Sequence, residues 1–204
     1  MLSTRRSTLA VLAAPLAVLS LVLLGCVPAP PAAISVRAGD SQAQVSFGDF
    51  IAASYEVLVM PGERIVSSPK NNHVMINGLA NGTPYTFQVR GLSSTGAAGA
   101  WSAPSAPVVP AGRPAAPTIT RVAGFVDLET GCTARVTFSP GWNGGSAITR
   151  YEVTVAGRTT VVSGTSSPIE VPGLLQHTPY DFTVRAVNEL GAGPASPSFA
   201  GSCS

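Results

Sequence analysis

Few side chains in this sequence are of a type that does chemistry, and their spacing keeps them apart. The 204 residues include two histidines, ten Asp/Glu, three cysteines and two tryptophans. His73 and His177 have no nucleophile or second metal ligand beside them in sequence. Nucleophilic catalysis needs a base held against the nucleophile, and a zinc site needs several converging donors. The pattern therefore predicts turn or surface histidines, with no catalytic residue, no metal and no cofactor. A carboxylate pair flanking a glycosidic bond would suffice for hydrolysis. Glu56 and Glu152 are the best such pair, but they sit at equivalent positions of two separate repeats, too far apart to cooperate. Their outward placement predicts cross-strand ladders instead, Glu56 with Arg90 and Glu152 with Arg185 or Arg150. A glycine-rich phosphate loop, a Gly-x-Ser-x-Gly elbow and a calcium loop are absent from the sequence.

The tryptophans are the candidate ligand contacts. An exposed indole stacks on a sugar face or anchors a protein partner. The competing expectation is packing, with Trp142 folded over one pole of its domain and Trp101 covering an edge near the interdomain joint. Trp142 is the better candidate of the two, because it lies in a loop beside Asn143-Gly144-Gly145.

Charge narrows the partners. The formal charge is +2, and Arg5 and Arg6 account for all of it, since ten Lys/Arg and ten Asp/Glu remain. A nucleic-acid binder needs a basic stripe to displace counterions, and that class is set aside. Arg5-Arg6 precede an apolar run, Leu9 to Leu24, which is short for a permanent span and reads as the core of a signal peptide. The run ends in Leu23-Leu24-Gly25-Cys26, which resembles the lipobox of bacterial lipoproteins. That resemblance implies cleavage before Cys26 and a diacylglycerol thioether on it. An uncleaved N-terminal anchor is the alternative and puts the domains on the same side of the membrane. Ordinary cleavage is disfavoured by the prolines at 28, 30 and 31.

The elements that would position these groups come as a repeat. Tyr55-Glu56-Val57 recurs as Tyr151-Glu152-Val153, and Thr83-Pro84-Tyr85 as Thr178-Pro179-Tyr180. Phe87-x-Val89-Arg90 recurs as Phe182-x-Val184-Arg185. A spacing near 95 residues, seen only twice, is the size of a whole small domain. Within each copy apolar residues alternate. Cys132, Ala134, Val136 and Phe138 share one strand face, as do Tyr180, Phe182, Val184 and Ala186. Alternation with frequent Gly/Pro/Asn punctuation predicts antiparallel strands in a sandwich.

Leu174 with Thr178-Pro179-Tyr180-x-Phe182-x-Val184-x-Ala186-x-Asn188-x-x-Gly191 resembles the E–F corner and F strand of fibronectin type III domains. Asn143-Gly144-Gly145-Ser146-x-Ile148-Thr149-x-Tyr151 resembles their B–C loop and C strand. The resemblance implies an all-β fold of two tandem seven-stranded, immunoglobulin-like sandwiches after a signal peptide. It also implies corner roles for Tyr85 and Tyr180, whose hydroxyls would meet upstream backbone. Phe47 and Phe138 stand where the family usually has a core tryptophan. The expected organisation is signal peptide 1–25, proline-rich tether 26–33, first domain 34–110, linker 111–116 and second domain 117–204. In that topology Cys132 opens strand B and Cys203 follows strand G at one pole, which implies a Cys132–Cys203 disulfide.

Proline in the tether and the linker favours extended chain at ~3.1 Å per residue, and Gly112 is the expected pivot. The implied function is a non-catalytic, exported binding or spacer module, anchored by lipid to the outer face of the membrane and recognising a cell-envelope protein or polysaccharide. Two alternatives stand beside it: an accessory module of extracellular polysaccharide degradation, and a purely structural spacer.

Overall fold

Alternating side chains become two face-to-face sheet pairs in the computed structural model, which describes residues 27–48, 51–68, 71–127 and 131–202. All the named elements are strands. The first sandwich is built from β1 (Ile34–Gly39), β2 (Gln42–Phe47), β3 (Ser54–Met60), β4 (Arg64–Ser68), β5 (His73–Asn77) and β6 (Thr86–Leu92). One sheet has the order β1-β2-β5 and the other β4-β3-β6. Ala43, Val45 and Phe47 of β2 are buried against Val57, Val59, Phe87 and Val89 of the facing sheet. The ring of Phe47 meets that of Tyr55 edge-on at 4.9 Å.

The second sandwich repeats the plan with β7 (Thr118–Asp127), β8 (Gly131–Ser139), β9 (Ile148–Val155), β10 (Val161–Gly164), β11 (Ile169–Leu174), β12 (Pro179–Asn188), β13 (Gly191–Ala192) and β14 (Phe199–Ser202). Its sheets are β11-β8-β7 and β10-β9-β12, with β13 and β14 both paired to β12. Phe138 packs on Tyr151 at 4.8 Å, the counterpart of the Phe47–Tyr55 contact. Phe87 and Phe182 are each fully buried, so a Phe→Ala change at either costs about 3–5 kcal/mol. The alternation has exceptions at Glu152 in β9 and Val187 in β12, and in β8 at Thr133, which is buried although its neighbours Cys132 and Ala134 already fill the inner face. The register partner of Thr133 across the β7–β8 pair is Phe125.

Strand G departs from a regular ladder in both copies, and proline is the reason. Proline cannot donate to a ladder. In the first sandwich residues 99–108 run beside β6 without forming a named strand. Ser102 and Ser105 donate their backbone N–H to the carbonyls of Val89 and Phe87, both at 2.9 Å. The return bonds go to their hydroxyls: Val89 N–H to Ser102 Oγ at 3.0 Å and Phe87 N–H to Ser105 Oγ at 3.1 Å. The second copy has one such serine, Ser196, which takes the Val184 N–H at 3.0 Å between β13 and β14. A hydroxyl within two residues of a proline thus replaces the acceptor that a continuous strand would supply.

Candidate functional site

The outward faces of β3 and β6 carry the first group of predicted residues. Across the β3–β6 register Glu56 faces Arg90, and their charges meet at 2.6 Å. Trp101 enters from the strand-G ribbon, and the Arg90 guanidinium lies over its ring, 4.3 Å from the centroid. Trp101 therefore sits on a sheet face over Arg90. Covering an edge near the joint, the packing expected of it, is not its role. With Leu58, Met60, Glu63, Ile65 and Gln88 it lines an open cavity of about 290 Å³.

The equivalent face of the second sandwich holds Glu152, which bonds both arginines that the sequence offered. Arg185 Nε lies 2.7 Å from Oε2 and Arg150 Nε 2.8 Å from Oε1. Glu152 is buried at 7% exposure. That burial, the largest single influence, pushes its carboxyl up, yet the hydrogen bonds and charges of Arg185 and Arg150 outweigh it and hold the group below its ordinary 4.5. Both glutamates are spent on ion pairs in different sandwiches.

Sequence spacing missed one arrangement. His73 Nδ1 lies 2.9 Å from Ser46 Oγ, because the β2–β5 register sets these residues opposite each other. A base beside a hydroxyl is the first requirement of a nucleophile. Here it is a cross-strand pair on an exposed sheet face, and no described residue bonds the far ring nitrogen to orient it. Only register could reveal it, since the partners are 27 residues apart. His177 takes a positive φ of 58° in the turn before β12. Among the described residues no group of three or more His, Cys, Asp or Glu could hold a metal ion.

Trp142 lies at the joint between the sandwiches. The residue is 56% exposed, and its carbonyl accepts the Ala115 N–H at 2.8 Å. The linker is bonded on both sides. Pro110 and Gly39 carbonyls accept from Gly82 and Ala111 at 2.8 and 3.2 Å, on the first sandwich. On the second, Gly112 N–H donates to the Gly144 carbonyl at 2.8 Å. The buried Asn188 side chain donates to the carbonyls of Gly112 at 2.8 Å and Asn143 at 3.1 Å. Gly144 and Gly145 take φ of 78° and 86°, the left-handed region that glycine enters without strain. A Cβ on Gly145 would overlap the backbone at Asn81 and Gly82, so the two domains touch through bare main chain. Gly112 is held at both its N–H and its carbonyl, which is the opposite of the pivot expected from its residue type. An open groove of about 510 Å³ runs beside the joint, walled by Asp40 and Val109 on one side and Leu190 and Pro194 on the other, with Arg113 along it.

The remaining predicted residues are structural in placement. The hydroxyls of Tyr85 and Tyr180 accept from the backbone N–H of Ala80 and Leu175, both at 3.0 Å. Cys132 is buried on the inner face of β8. Cys26 and Cys203 lie outside the described residues, as does the apolar run 9–24.

Residues 126–202 match the fibronectin type III domain family, so a domain of that kind is present in the second half of the chain. Endoglucanase B of Cellulomonas fimi is 35% identical over 156 residues, which is 72% of this chain and 15% of that protein. The chain thus spans about 15% of the length of this relative. The FN1–FN3 domains of chicken CNTN1 superpose with a TM-score of 0.45 at 17% identity, covering 85% of this chain and 65% of that one.

Proposed function

We propose that this chain is a non-catalytic, exported spacer that holds two fibronectin type III-like sandwiches in one fixed arrangement and presents them to a protein or polysaccharide of the cell envelope. The observation that carries the reading is the joint. Five hydrogen bonds fasten residues 110–115 to the segments on either side, and a pair of glycines lets the domains meet backbone to backbone. A flexible tether would need none of this. The lipid anchor on Cys26 and the Cys132–Cys203 bridge belong to the same proposal. Burial of Cys132 at the start of β8 supports the bridge, as does β14, which ends at Ser202, one residue before Cys203.

The test is a distance distribution between spin labels at Ser67 and Thr165, exposed positions in different sandwiches. One narrow peak is expected in the native chain. Asn188→Ala with Gly145→Ala should broaden it while each sandwich stays folded. A distribution equally broad in both proteins rejects the spacer reading.

A second reading is favoured by the likeness to Endoglucanase B: service as an accessory module in extracellular polysaccharide degradation. It shares the spacer geometry and differs in what the chain is attached to or works beside. Co-purification with a glycan-degrading enzyme from the native secretome would select it.

A further inference from the structure

We infer that the outer face of the first sandwich, over β4, β3 and β6, is a binding site for a neutral polysaccharide chain, with Trp101 as its stacking platform. The proposal adds a recognition surface to the spacer and does not rest on the rigidity of the joint.

Three observations meet there. Trp101 lines the cavity with one ring face stacked on Arg90. The guanidinium is itself paired with Glu56, so the platform is held from beneath by a neutralised pair. Beside it are hydrogen-bonding groups with capacity to spare. Gln88 uses one amide N–H on the Ser102 carbonyl at 2.8 Å, leaving its other N–H and its Oε1 for a ligand. Glu63 is exposed and makes no ion pair among the described residues. Leu58, Met60 and Ile65 complete the lining, with Ile65 47% exposed.

This combination is what a pyranose with equatorial hydroxyls requires. Its C–H face is apolar and stacks on an indole, while its rim of hydroxyls both donates and accepts. A protein partner fits less well. A protein interface buries ~800 Å² per partner and is depleted of charge at its core, whereas this patch is crossed by Gln88 and Glu63. An acidic glycan is disfavoured too, because Arg90 is already neutralised and the spare charge, Glu63, is negative.

The second sandwich supplies an internal control. Strand register sets Thr154, Thr183 and Ala195 where the first has Leu58, Gln88 and Trp101, and Ala195 offers no ring. Trp142 is exposed at the joint, away from this face.

The test is affinity electrophoresis and depletion of the full chain on β-1,4-glucan and xylan, with polygalacturonate as the acidic control. Retention on a neutral polysaccharide is expected, reduced about tenfold or more by Trp101→Ala and severalfold by Gln88→Ala. Trp142→Ala should leave it unchanged. Gln88 is half-buried on the outward face and lies outside the core cluster, so its variant guards against loss of binding through misfolding. No retention on either neutral polymer, binding that survives both substitutions, or loss on Trp142→Ala instead would overturn the site. None of these outcomes bears on the label distances that test the spacer.

Discussion

The two sandwiches carry the same outward ion pair and surround it differently. In the first, Glu56–Arg90 lies under an indole and beside apolar side chains. In the second, Glu152 is gripped by two arginines and enclosed, with threonines and alanine nearby. One ladder has become the base of a platform, the other a buried carboxylate held by two half-exposed arginines. The difference shows how a repeated scaffold separates roles: the strands and their pairing stay, and two or three outward side chains decide whether a face stabilises or recognises.

The comparison is best broken at the second sandwich. With the proposed bridge closing a loop of about 70 residues, reduction or Cys132→Ser should remove about 4 kcal/mol from that sandwich and nothing from the first. Hydrogen exchange at β8 and β12 amides, compared with β2 and β6, reads this directly. If mild reductant leaves the exchange rates of β8 and β12 unchanged, the bridge is absent.

Glu152→Gln comes next. It should cost about 2 kcal/mol, since two charge-assisted bonds are lost from a buried carboxylate whose partners are half exposed. Glu56→Gln breaks one pair and should cost about 1 kcal/mol. Equal losses would mean that enclosure by a second arginine contributes nothing.

Acid sharpens the same contrast. The Glu152 carboxyl is held below 4.5 in the folded chain, so the unfolded chain binds more protons as pH drops past that value. The stability this group supplies is present above 4.5 and is lost as pH falls through its lowered folded value. Acid denaturation followed at β9 and β12 should show this component in the native protein and lack it in Glu152→Gln.

Two smaller effects concern the platform. Trp101→Ala should cost the first sandwich about 0.5–1 kcal/mol through the lost guanidinium contact. Ala195→Trp should place an indole near Arg185 and return about 0.5 kcal/mol to the second. A melting temperature unchanged by Ala195→Trp would show that the stack needs the apolar surroundings of the first face.

Much of this architecture was legible beforehand. Alternation placed Cys132, Ala134, Val136 and Phe138 on one inner face, and the two aromatic pairs, Phe47–Tyr55 and Phe138–Tyr151, sit in matching cores. Both glutamates found the arginines proposed for them, Glu152 taking both candidates. The His73–Ser46 contact, the position of Trp101 over Arg90 and the serine hydroxyls that replace strand-G acceptors were not legible. Each depends on which residue falls opposite which across a gap of 11 or more positions, a matter of register and not of composition.

Burial periodicity, the duplicated pattern and the outward placement of the charged residues were determined by sequence alone, because each is a local consequence of a strand pointing successive side chains to opposite faces. The joint was decided only by the tertiary structure. Gly112 read as a hinge from its type, yet Asn188, 76 positions away, holds its carbonyl, and Gly145 brings one domain's main chain against the other's. Contacts of that kind arise where folded loops converge, and residue type alone carries no record of which loops those are.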